Sequence, residues 1–461
     1  MQSWDHIHTF RYTGLRFDLS RGMASFGYLM QGSSVQYSFT DVITFPLPKQ
    51  RPDAFTKVAL DRVLELLYIA VGLIYYKSMA PRSVVLDTVR LAPAARRWTR
   101  ELYRSGLAEF AYRYNMPHVL DLTVDAERGD DNSAHGQDML AGGRRPLVAI
   151  GGGKDSIVSV EALKAAKLRP VVFTVERQPT PLLSEVMALT EVPNLTVRRT
   201  VDQRLTHLLD HYGAYIGHVP VTAIHSLVGV AVAVLHGLGP VVMSNERSAA
   251  AGNLIWRDHQ VNHQWSKGVE AEVLLREAIG EHAGLSNASF SLLSGMSELY
   301  IARLFAGIDT YDSKVTSCNY AFRLGGLRCE RWCNDCAKCR FVFLSLAPFM
   351  DRARLVGIFG QDLLDDPHHI EGYRELLGLR GPKPFECVGE IVESQVARQL
   401  LARCARWADA AVIRTLREEI SNWPSEQDVI RVFATQPPRF APPDYAQALA
   451  EMQRSYIQIL A

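Results

Sequence analysis

Up to about residue 50 the chain alternates aromatic and polar positions. Phe10-Arg11-Tyr12, Leu15–Leu19, Ser25–Tyr28 and Val35–Phe39 predict short antiparallel strands, with turns at Gly14, Gly22 and Gly32. After Pro52 the period lengthens. Leu60, Val63, Leu64, Leu67, Ile69 and Leu73 recur on helical faces, and a second helical stretch follows near Trp98–Tyr114. Arg128–Arg145, poor in apolar residues, reads as a mobile loop or linker. From Pro146 short apolar runs alternate with helices. Strands are predicted at Leu147–Ile150, Pro170–Val175, Leu195–Val201 and Val241–Ser244, with a helix over Ser156–Lys167. That rhythm predicts an α/β fold, a doubly wound parallel sheet with helices on both faces.

Beyond about residue 340 the pattern is mostly helical, broken at Pro382, Pro384 and Pro437–Pro443. Three regions are therefore expected: an N-terminal α+β region (1–140), a parallel-sheet nucleotide-binding domain (145–315) and a cysteine-rich, helical C-terminal region (316–461). Val219–Leu238 is long enough to cross a bilayer and lies in a stretch without Asp, Glu, Lys or Arg. It also holds His225, Ser226, Gly229 and His236, so a helix buried against the sheet is expected instead, with no membrane partner.

Composition narrows the field. The 461 residues carry 50 Lys+Arg against 49 Asp+Glu, and this balance offers no global attraction to nucleic acid. The first thirty residues mix charges with aromatics and lack the apolar core of an export signal. Seven cysteines, four of them between Cys329 and Cys339, point to reduced thiols around a metal and a cytoplasmic location. His6, His8, His118 and His259 are given no functional role.

Three constellations carry candidate chemistry. Gly151-Gly152-Gly153-Lys154-Asp155-Ser156 follows a predicted strand and opens a helix, where free backbone N–H groups and the helix dipole favour phosphate. Asp155 stands where a Walker A loop has Ser or Thr, and no third glycine completes a dinucleotide fingerprint. Cys329, Cys333, Cys336 and Cys339, with Cys318 upstream, offer five thiols for the four places of a structural zinc site. Ser244-Asn245-Glu246-Arg247-Ser248 leaves the end of a predicted strand, where open α/β sheets bind ligands. Asn262, His263, Lys267 and Glu270 follow it, and His263, Lys267 and Glu270 would share a face if that segment were helical.

The glycine loop resembles the Ser-Gly-Gly-x-Asp-Ser loop of PP-loop ATP pyrophosphatases, with Gly151 in place of the usual Ser. The cysteine layout is similar to that of the cyano-deazaguanine synthases of the same superfamily, and this resemblance implies Cys318, Cys333, Cys336 and Cys339 as the ligands, leaving Cys329 spare. Taken with Ser244–Ser248, Val261–Lys267 and Trp332–Leu346, the loop resembles the UDP-N-acetylmuramoyl-L-alanyl-L-glutamate epimerases over most of the chain. That resemblance implies inversion of the terminal L-glutamate of a nucleotide-sugar peptide through an acyl-adenylate. ATP and Mg²⁺ would be required, and Zn²⁺ would be structural. Residues Gly151–Ser156 would bind ATP, Asn245, Arg247, Ser248 and Asn262 the substrate, and His263, Lys267 and Glu246 would be the candidates for proton transfer. Another adenylating enzyme of the superfamily and a non-catalytic nucleotide- and zinc-binding protein are the alternatives. Oligomeric state is not legible.

Overall fold

The computed structural model describes residues 4–50, 52–129, 136–140, 145–322, 329–417, 419 and 423–459. Of the linker expected over Arg128–Arg145, positions 130–135 and 141–144 lie outside this set.

Three long strands, β1 (Ile7–Asp18), β2 (Met23–Gly32) and β3 (Gln36–Thr44), pair antiparallel in a meander. Gly14 sits inside β1 and not in a turn. Its φ of +152° accompanies a register irregularity, so the chain kinks and runs on as one strand. Helix α1 (Ala54–Tyr76), capped by Asp53 accepting from Thr56 N at 2.7 Å, lies across the meander. Then come β4 (Ser83–Leu91), α2 (Pro93–Arg104), α3 (Ala108–Arg113) and β5 (Val124–Arg128). The helix expected over Trp98–Tyr114 is thus two helices, broken around Gly106.

After the two-residue β6 (Gln137–Asp138), strand and helix alternate. The order is β7 (Leu147–Ala149), α4 (Lys154–Ala165), β8 (Val171–Glu176), α5 (Pro181–Leu189), β9 (Asn194–Thr200), α6 (Gln203–His211), α7 (Val221–His236) and β10 (Val241–Met243). A hairpin of β11 (Leu254–Trp256) and β12 (His259–Val261) precedes α8 (Val269–Ala283). Strand β13 (Leu285–Ser286) pairs with β6, and β14 (Ser289–Ser291) with β10. Helices α9 (Glu298–Ala306) and α10 (Ala337–Leu346) lead into the C-terminal helices: α11 (Arg352–Phe359), α12 (Ile370–Leu376), α13 (Ile391–Ala402), α14 (Ala411–Leu416), α15 (Glu426–Phe433) and α16 (Pro443–Ile459).

One ten-stranded sheet collects the long-range pairings in the order β14-β10-β7-β8-β9-β3-β2-β1-β4-β5. It is mostly parallel; the meander and its junction with β9 supply the antiparallel pairs. At that junction Ile43 pairs with Arg199, and the buried Arg199 guanidinium meets Asp41 at 2.9 Å, with the Tyr75 hydroxyl donating to the same carboxylate. Successive strand residues face opposite layers. Leu147, Val171 and Val241 join the core under α1, α7 and α8, whereas Val148, Val172 and Val242 join the core under α4, α9 and α10. Helix α7 presses close to the sheet because Gly229 has no side chain: a Cβ there would stand 2.7 Å from the Phe173 ring. Among the described residues no helix is long and apolar enough to cross a membrane, and the apolar stretch around Val219–Leu238 is this buried helix.

Candidate active site

The carboxyl ends of β7, β8 and β10 open into a cavity of about 1220 Å³. Gly151, Gly153, Asp155 and Ser156 line one side, and Lys267, Lys338 and Cys387 another. The loop turns through Gly152 at φ +84°, a conformation that favours glycine. Gly153 then caps α4 without a side chain, and a Cβ at this position would lie 2.6 Å from Ser317 Oγ. Gly152 also accepts from Thr316 N at 3.0 Å, so the glycine loop and the segment leading to Cys318 are tied together.

Behind the loop lies a buried charge cluster. Lys154 is 1% exposed, and its ammonium pairs with Asp155 and with the fully buried Glu298. Lys338 stands 3.6 Å from Glu298, and Lys267 3.5 Å from Glu246. Oxygens of Asp155, Glu246 and Glu298 lie within 4.8 Å of one another. Burial pushes the Glu246 carboxyl up against the pull of Lys267, and neither of its oxygens has a hydrogen-bond partner among the described residues. Burial would push Glu298 up as well, yet Lys154 and Lys338 hold it below the usual range. Lys267 is likewise desolvated, but Glu246, Cys387, Glu298 and Asp155 together outweigh burial and raise its pKa, so it stands here as an ammonium.

His263 and Lys267 do not share a helix. Residues Trp265–Lys267 form a short 3₁₀ turn and α8 begins at Val269. Lys267 turns to Glu246, while His263 Nδ1 meets Glu109 at 2.5 Å and its ring lies 4.2 Å from that of His218. Burial lowers the His263 pKa, but hydrogen bonds to Cys387 and Glu109 bring it up to about 9. Glu270 accepts from Trp265 Nε1 at 3.3 Å.

Other expected substrate contacts are engaged elsewhere. Arg247 donates to the carbonyls of Arg431 and Ala434 at the end of α15. Ser248 donates to Glu393, and Asn262 bridges Ala249 O and Gln264 N. Asn245 does line the cavity, its backbone N–H donating to Ser291 Oγ at 2.6 Å. Four thiols, those of Cys318, Cys333, Cys336 and Cys339, lie within 4.8 Å of one another, and Cys329 Sγ is 3.8 Å from Cys318 Sγ.

Glu298, Lys338, Glu109 and Cys387 carry no motif. Glu298 and Lys338 left one trace: each is a charge set early in a mostly apolar helix, Glu298–Ala306 and Ala337–Leu346. Such charges are almost never fully buried unless paired.

Comparison with known proteins now bears on this geometry. Residues 1–292 match the family described as MurL N-terminal domain, and residues 314–430 match MurL C-terminal domain. The chain is 52% identical over 96% of its length to the UDP-N-acetyl-alpha-D-muramoyl-L-alanyl-L-glutamate epimerase of Micromonospora sp., covering 98% of that relative. It is 51% identical to the Salinispora tropica protein of the same name (97% of this chain, 96% of the relative) and 37% identical to that of Xanthomonas oryzae (90% of each). No solved structure matches. Two family matches and this near-full-length identity lead to one conclusion: the chain belongs to the MurL family of epimerases, enzymes of the isomerase class.

Proposed function

We propose that this enzyme inverts the terminal L-glutamate of UDP-MurNAc-L-Ala-L-Glu to D-glutamate, converting ATP to AMP and pyrophosphate, in peptidoglycan precursor synthesis. The carrying observation is that a PP-loop-like glycine turn, Gly151–Ser156, and a proton-bearing group of side chains open into one cavity. The relatives' printed names supply the substrate.

The chemistry needs ATP for a reason. An acylated amine cannot form an imine, and a free α-carboxylate makes its α-proton very weakly acidic, since removal would build a dianion. Attack of the carboxylate on the α-phosphate releases pyrophosphate and leaves an acyl-adenylate, whose carbonyl can take the enolate's charge. Loss of the proton from one face and its return to the other inverts the carbon, and water then releases AMP. The N-terminus of α4 receives phosphate. Asp155, Glu246 and Glu298 form a hard-oxygen set suited to Mg²⁺, and neither Glu246 oxygen accepts a hydrogen bond among the described residues. When bound, the ion neutralises charge on the leaving pyrophosphate.

The test is incubation with ATP, Mg²⁺ and UDP-MurNAc-L-Ala-L-Glu in D₂O. Expected products are AMP, pyrophosphate and D-glutamate labelled at the α-carbon after hydrolysis and chiral analysis. AMP without D-glutamate would reassign the chain to another adenylating reaction. In Asp155→Ala, pyrophosphate release should fall at least ~100-fold in a folded protein, a loss typical of removing one preorganised electrostatic group.

A further inference from the structure

We propose that Cys387 is the catalytic base that takes the α-proton, held in place between the His263 imidazole and the Lys267 ammonium. The inference rests on the ATP-dependent epimerase reading and adds the group that touches the reacting carbon.

Its position is built. Cys387 lines the same cavity as Gly151, Gly153 and Asp155. It belongs to an irregular stretch before α13, and side chains far away in sequence grip that stretch. Asn253 Nδ2 donates to Lys383 O at 3.1 Å and to Pro384 O at 3.0 Å, and Gln264 Nε2 donates to Val388 O at 2.9 Å. The Glu386 carboxylate accepts from Lys338 N at 3.2 Å. Phe385 stacks on Tyr112, with the Arg113 guanidinium 4.8 Å above its ring. A segment that merely joined two helices would need no such restraint.

Its surroundings suit a thiolate. Burial by itself would raise the thiol's pKa; Lys267, the hydrogen bond to His263 and Lys338 together bring it down to about 7. Lys383 also faces it, while Glu109 and His218 flank His263 on the far side. A base works best when its pKa lies near the working pH, and a thiolate forms beside cationic groups. In the step itself the S–H bond forms as the Cα–H bond breaks, and the electron pair moves into the adenylate carbonyl as an enolate. A water molecule protonates the other face, and the hydroxide so formed takes the thiol's proton, restoring the thiolate.

The experiment uses the full-length enzyme with ATP, Mg²⁺ and substrate in D₂O. For Cys387→Ala and Cys387→Ser, pyrophosphate release should stay within a few-fold of wild type while α-deuterium incorporation falls at least a hundredfold. Alkylation of wild-type Cys387 by iodoacetamide, followed by peptide mapping, should titrate with a midpoint near 7 and move upward in Lys267→Met. It should also abolish exchange while sparing pyrophosphate release, and this arm decides the matter if the variants do not fold. Full exchange in folded Cys387→Ala would overturn the proposal. So would parallel loss of pyrophosphate release and exchange, which would make Cys387 a positioning residue. Failure of the wild type to form D-glutamate would instead sink the functional reading on which this rests.

Discussion

At the residue scale, His263 and Cys387 shift in opposite directions, and the consequence for stability can be worked out by sign. His263 rises from 6.5 to about 9, so alone it contributes stability that is complete below 6.5 and lost as pH climbs through 9. Cys387 falls from 9 to about 7, so alone it contributes stability that is complete above 9 and lost as pH falls through 7. Between 7 and 9 the folded pair holds one proton, on His263, and the unfolded pair also holds one, on Cys387. Uptake cancels, and the pair adds little slope to stability in that window. Cys387→Ser should break the cancellation. Glu109 still favours protonated His263, so stability should fall from about pH 6.5 upward, by about 1 kcal/mol. Urea denaturation at closely spaced pH values, variant against wild type, checks this; identical slopes would mean the two groups do not exchange a proton.

At the scale of single elements, close approach is the recurring device. Gly72 of α1 lies over Tyr12 of β1, and a Cβ there would meet the Tyr12 hydroxyl at 2.6 Å and its ring at 2.8 Å. Tyr12 cannot yield easily, since its hydroxyl is bonded to Ile69 O and the Tyr103 hydroxyl inside the core. Gly72→Ala should therefore destabilise by ~1–3 kcal/mol from overpacking, against a gain of at most ~1 kcal/mol in helix propensity. Denaturant midpoints decide the balance, and an unchanged or raised midpoint would show that α1 can shift. The same scale explains what the sequence made legible. Strands β7, β8 and β10 are readable because each is an apolar run closed by Gly, Pro or polar residues, and β9 because Leu195 and Val197 alternate with polar positions. Strand β14 escapes notice because Ser-Phe-Ser holds one apolar residue. Gly14 misleads because a glycine bends a strand and ends one with the same local signal. The glycine loop is readable since its chemistry is contiguous, whereas Glu109, Glu298, Lys338 and Cys387 meet only through the fold.

Across the whole molecule, the pairing of β3 with β9 joins the N-terminal meander to the strands that carry the glycine loop. Strands more than 150 residues apart in sequence leave no periodic trace of their pairing, so the continuity of the sheet was not readable beforehand. The C-terminal part is tied in by the Thr316–Gly152 bond and by α16 against α4. Four convergent thiolates are a soft donor set suited to zinc, and metal binding energy becomes folding energy. Protein purified without chelators should carry about one zinc per chain. Cys333→Ser should lose it, with a Tm lower by several degrees, on the order of 1–3 kcal/mol. Elemental analysis and thermal melts test both halves, and stoichiometric zinc in Cys333→Ser would exclude that thiol as a ligand.

The grip of Asn253 and Gln264 on Lys383, Pro384 and Val388 has a genetic consequence. The stretch they hold is synthesised more than a hundred residues after they are. A nonsense codon at position 382 would leave the glycine loop, Lys267, His263 and the four clustered thiols translated, while the side-chain N–H groups of Asn253 and Gln264 would lose these acceptors. Late-truncating alleles of this gene should therefore behave as nulls and not as partial-function alleles.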